Sequence, residues 1–107
     1  MKPLILSLFA IAALAPPATQ VFAGTITDSM CANADHASMR MGPTDGECAK
    51  ACVEEHDATF VLWNGKEAYA LSDQRAPEKF AGRKVRVRGT LDARTKTIAV
   101  ESMAAAK

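Results

Sequence analysis

The sequence predicts a mainly β domain with one short helix, an α+β chain of modest size. Three observations predict it. Asn64-Gly65 lies between two β-rich runs, TFVLW and KEAYALS. That dipeptide in that setting is a strong short-range hairpin signal. Arg83 to Asp92, RKVRVRGTLD, alternates apolar and polar residues as a half-buried strand does. Thr44-Asp45-Gly46-Glu47 has the Thr and Glu spacing of a capping box, and opens the one amphipathic helical stretch.

In chain order, residues 1–23 read as a secretory signal peptide. Lys2 supplies the positive charge, LILSLFAIAALA the apolar run, and Val21-Phe22-Ala23 the small-residue cleavage site. The apolar run falls short of the roughly 20 residues a membrane span needs. Cleavage after Ala23 leaves residues 24–107 as one domain with no membrane span. Lys2 is the only charge removed, so the remaining domain carries 12 basic and 12 acidic residues. That balance gives no reason to expect nucleic acid as a partner.

Gly24–Ser29, GTITDS, reads as the first strand. Met30–Pro43 has no clean period and ends in Gly-Pro, so it reads as a loop with room for a helical turn. The helix is expected at about 45–55. At about 100° per residue, Cys48, Cys52 and His56 fall on the same arc as Ala49 and Val53, and that arc should face the core. A two-residue Asn64-Gly65 loop would pair Trp63 with Lys66, Leu62 with Glu67, Val61 with Ala68 and Phe60 with Tyr69. Phe60 and Leu62 then share the core face with Tyr69 and Leu71. Pro77 starts a short turn anchored by Phe80. On the next strand Val85, Val87, Gly89 and Leu91 point inward. Thr97–Met103 forms the last strand, with Ile98 and Val100 inward, and the AAAK tail is expected to fray. Five short strands in a small domain suggest an OB-like barrel, since closure removes exposed edges. The helix precedes the second strand, whereas an OB barrel usually carries its helix between the third and fourth.

The combination TITDSMC-x4-H, C-x3-CV, YALS and KFAGRKVRVRGTLD-x4-TIAVESM resembles a family of small exported bacterial proteins of unknown function. The resemblance spans nearly all of residues 24–107. The stretch from Gly82 to Leu91 is also similar to the last strands of periplasmic OB-fold proteins. The resemblance implies a periplasmic or secreted module with a shared Cys/His cluster, and no reaction. Some members carry a further Cys beside the first strand, where this chain has Thr25.

The chemistry rests on three cysteines. Cys31, Cys48 and Cys52 are disulfide candidates, because export permits a bridge and a small core benefits from one. Cys48 and Cys52, one helical turn apart, are poorly oriented for pairing with each other, so Cys31 is the better partner for either. Such a bridge would stabilise by about 3 kcal/mol in the chain-entropy model. The second reading is a zinc or copper site drawn from Cys31, His36, Cys48 and Cys52, with His56 as an alternative ligand. Met30, Met39 and Met41 in the same loop would favour copper(I). A thiol redox protein is a third reading, although C-x-x-x-C is not the thioredoxin spacing. Lys84, Arg86 and Arg88 share one outward strand face and could meet an anionic envelope or extracellular ligand. No Ser-His-Asp constellation, recognisable acid pair or phosphate-binding glycine loop appears. The expectation is therefore a non-catalytic binding or structural module.

Overall fold

The computed structural model describes residues 18–106. Residues 1–17, which hold most of the expected signal segment, lie outside the described residues. Five strands form a closed barrel: β1 (Gln20–Asp28), β2 (Phe60–Trp63), β3 (Ala68–Leu71), β4 (Lys84–Asp92) and β5 (Thr97–Ala105). Their order around the barrel is β1-β2-β3-β5-β4. Every pairing is antiparallel except β3 with β5. That parallel contact closes the ring, so β1 pairs with both β2 and β4. One helix, α1 (Asp45–His56), lies between β1 and β2. The OB-like expectation holds for the strands, and so does the departure in helix position.

The core comprises Ile26, Ala49, Phe60, Leu62, Leu71, Val85, Val87 and Ile98, all buried. The alternation read from β4 is reproduced, with Val85, Val87 and Gly89 buried between exposed Lys84, Arg86 and Arg88. β5 runs two residues past Met103, and Ala105 pairs with Val85, so half of the expected frayed tail is strand. A bulge between Arg88 and Gly89 lets β4 bend around the barrel.

Two elements differ from their sequence-based expectation. The β2–β3 register is Trp63 with Ala68, Leu62 with Tyr69 and Val61 with Ala70. The loop therefore has four residues instead of two. Asn64 Oδ1 accepts from the backbone N–H groups of both Lys66 and Glu67, at 2.8 Å each, and holds the wider turn. A slip of two preserves strand parity, so Leu62 still shares its face with Tyr69.

The second difference is the start of β1. Gln20 to Ala23 pair with Gly89 to Arg86, four residues ahead of the expected first strand. Phe22 packs on the core and lies 6.0 Å from Tyr69, ring centre to ring centre. Cleavage after Ala23 would therefore remove four strand residues present in the full chain.

The N-terminus of α1 docks on the turn that leads into β4. A Cβ at Gly46 would lie 2.5 Å from the Ala81 carbonyl oxygen, and one at Gly82 would lie 2.6 Å from Gly46 N. Gly82 also has φ +76°, which favours glycine. Thr44 caps the helix by accepting from Glu47 N–H at 3.1 Å.

Two predictions follow from this packing. Gly46→Val should force α1 away from the barrel and lower stability by about 1–3 kcal/mol, read as a lower urea midpoint. An unchanged midpoint would mean the close approach is not required. Tyr69 Oη donates to Glu67 at 2.9 Å, and that bond, ahead of desolvation, holds the phenol above its ordinary range. Because the neutral phenol is the bonded form, this contribution is present below the unfolded pKa and lost as pH rises through the folded one. Tyr69 is the only tyrosine. Glu67→Ala should therefore lower the pH at which tyrosinate absorbance appears, and an unshifted titration would count against the bond.

Candidate metal centre

The C-terminal end of β1 carries the site. Thr27 and Asp28 are fully buried there, beneath α1 and the loop from Ala32 to Pro43. Asp28 caps a 3₁₀ turn, Ser29–Cys31, through Oδ2, which accepts from Met30 N–H at 3.0 Å and Cys31 N–H at 3.1 Å. That cap holds the carboxylate and fixes where Cys31 leaves the strand. The loop then returns His36 over the same spot. Asn33 Oδ1 accepts from Asp35 N–H, Asp35 Oδ1 accepts from Ala37 N–H, and His36 O accepts from Met39 N–H. These short-range bonds shape an irregular segment that no periodicity could reveal.

One ligand atom each from Asp28, Cys31 and His36 lies within 4.8 Å of the other two, and all three residues are buried. The hydrogen bonds determine which imidazole nitrogen faces the cluster. Thr27 Oγ1 donates its single proton to the Cys31 carbonyl at 2.8 Å. It must therefore accept from His36 Nε2, 3.3 Å away, which puts the ring proton on Nε2. Nδ1 then faces Asp28 Oδ1 at 3.8 Å. Among the described residues, neither of these two buried atoms has a hydrogen-bond partner.

With His36 neutral, two buried acceptors would face each other here, a conflict that a bound cation would relieve, as would a proton on Nδ1. Leaving each unsatisfied costs about 1–3 kcal/mol. The separation exceeds the roughly 3.2 Å limit of a good hydrogen bond. It is a few tenths of an ångström above the roughly 3.3 Å that tetrahedral zinc bond lengths give an oxygen–nitrogen pair. The donor set of carboxylate oxygen, imidazole nitrogen and thiol sulfur suits a borderline-soft divalent ion.

The other predicted residues fall differently. All three cysteines are free thiols, so the expected bridge from Cys31 to the helix is not formed in this structure. Cys48 accepts from Met41 N–H at 3.2 Å and donates to Met39 O at 3.3 Å, tying the loop to α1. Cys52 is fully buried one turn further along. Burial first, then the Asp28 charge and the Cys48 and Cys31 sulfurs, pushes its thiol up to about 11. Burial and Asp28 likewise raise Cys31. His56, placed by the helical wheel on the inner arc, is exposed at the last position of α1 and does not join the group. Met30 and Met39 are exposed and Met41 is half-buried. Lys84, Arg86 and Arg88 do line one exposed face of β4, where Arg88 pairs with Glu101 at 3.4 Å.

Asp28 is the member of this group that sequence reading missed. Its signal was the position three residues before Cys31 in DSMC, which reads equally well as a simple turn cap. An open groove of about 650 Å³ beside the β4–β5 turn is lined by Leu91, Thr95 and Ala99 among others, and Asp92 is its only ionisable residue.

Residues 56–106 match the model of a family described as Protein of unknown function (DUF5818). The match covers β2 to β5 and stops short of Asp28, Cys31, His36, Cys48 and Cys52. No curated protein and no solved structure matches the chain. Among the described residues, no helix is long and apolar enough to cross a membrane.

Asp28→Asn separates the two demands on the site. Its amide oxygen can keep the Met30 and Cys31 bonds while its NH₂ donates toward His36 Nδ1. The metal-free variant should therefore equal or exceed the metal-free parent in stability, read by urea unfolding in chelator. A loss of more than about 1 kcal/mol would show that the facing acceptors are not in conflict.

Proposed function

We propose that this chain is a non-catalytic metal-binding module that holds zinc at Asp28, Cys31 and His36. The observation that carries the reading is the pair of unpartnered buried acceptors, Asp28 Oδ1 and His36 Nδ1, beside the Cys31 thiol. Zinc is favoured over copper(I), because a carboxylate oxygen is a poor ligand for the softer ion. The burial of all three residues supports a structural role, since a catalytic zinc needs an open coordination position. The metal would join the end of β1 to the loop that covers it, which suits a small domain with a limited core. When bound, zinc would supply the positive charge that the two acceptors lack.

The signal-like segment supports placing this module in the periplasm or outside the cell. In that compartment a Cys31 disulfide to Cys48 or Cys52 is the competing staple. The two differ in the state of the thiols. Protein recovered from the periplasm, denatured in chelator and alkylated without reduction, should take three labels and carry about one zinc equivalent before denaturation. One label would establish the disulfide-stapled module instead.

Metal removal should lower the melting temperature, and re-addition of zinc should restore it. His36→Ala should abolish that zinc response. An equal zinc-dependent shift in His36→Ala would remove His36 from the site.

A further inference from the structure

We infer that Cys52 is the fourth ligand, making a closed Asp28-Cys31-His36-Cys52 zinc site, and that Cys48 stands outside it. This deepens the zinc reading above and rests on it. Tetrahedral zinc in a structural site takes four protein ligands. Cys31 is 5% exposed, His36 3% and Asp28 0%, so the three-residue group offers no open face for a water ligand. The fourth donor must come from the protein.

The nearby alternatives are already committed or wrongly placed. Asp35 is exposed and its Oδ1 is used by Ala37 N–H. His56 is exposed at the far end of α1. Cys48 donates to Met39 O and accepts from Met41 N–H. Ligation would convert it to a thiolate, lose the bond to Met39 and loosen the loop that places His36. Cys52 remains. It is fully buried on the face of α1 that packs against β1, within electrostatic reach of Asp28 and Cys31.

The charges are reasonable for such a site. Asp28 and two thiolates bring three negative charges against two positive. The excess falls where Met30 N–H and Cys31 N–H already donate to Asp28 Oδ2. The ion would join three segments, with Asp28 at the end of β1, Cys31 and His36 in the loop, and Cys52 on α1. The middle of the helix would then be held to the barrel by metal, as its N-terminus is held by the Gly46–Gly82 contact.

The test uses the reduced full chain loaded with zinc or cobalt(II). Zinc-edge X-ray absorption of the wild type should count two sulfur and two nitrogen or oxygen neighbours, and Cys48→Ser should keep both sulfurs. Cys52→Ser should weaken cobalt binding by roughly 100-fold or more and lose sulfur-to-cobalt charge-transfer intensity, since even an outer-shell loss costs about 10–100-fold. One sulfur in the wild type, or loss of a sulfur in Cys48→Ser, overturns the assignment of Cys52 while leaving the zinc site standing. Failure of the wild type to bind either metal overturns the underlying reading as well. The wild-type and Cys48→Ser spectra decide the question even if Cys52→Ser does not fold.

Discussion

The Asp28 carboxylate and the His36 imidazole meet in a buried pocket, and much of the structure serves to keep them there. Each unpartnered atom is costly against a total stability that for such domains is about 5–15 kcal/mol. A fold does not hold this arrangement by accident of packing, because the surrounding bonds all enforce it. The cap on Met30 and Cys31 fixes one partner. The Thr27 hydroxyl, bonded to both the Cys31 carbonyl and His36, fixes the other. The proposed zinc ion between them would turn the conflict into attraction and join the end of β1 to the loop that covers it.

The barrel supplies the rigidity that this geometry needs. β1 pairs along its length, first with β4 and then with β2, so its last residues are held between a closed ring and the helix above. α1 is seated by two glycines at one end and is buried through Cys48, Ala49 and Cys52 along its length. The loop between them has little regular structure, yet side-chain caps at Asn33 and Asp35, and the Cys48 thiol, give it a defined path. Fold and site are thus separate in sequence but joined at β1. The family match, confined to residues 56–106, covers most of the barrel and leaves the chemistry-bearing segment to be judged on geometry alone.

The strands were legible because their signals are local. β4 announced itself through strict alternation, and its inward residues are the ones predicted. The β2–β3 hairpin was legible in its faces but not in its register. Asn64 was read as the corner of a two-residue turn, whereas its side chain caps a four-residue loop, and both readings are compatible with the same letters. His56 was misplaced for a different reason. A helical wheel assigns an angle to each residue but does not say where the supporting surface ends, and Val53 is the last residue of α1 that packs on the core.

The sequence by itself determined the class of the domain, five strands with a capped helix, and the residue types from which any site had to be built. It left the cysteines undecided between bridge, ligand and core. Tertiary structure decided that Asp28 belongs with Cys31 and His36, because a strand end and a loop return converge there. It also decided which imidazole nitrogen is free, through the direction of the Thr27 hydroxyl. The one spacing that bears on either, Asp28 three residues before Cys31, reads equally well as a turn cap. Each depends on which polar atoms are left without partners once water is gone, and only the folded chain specifies that.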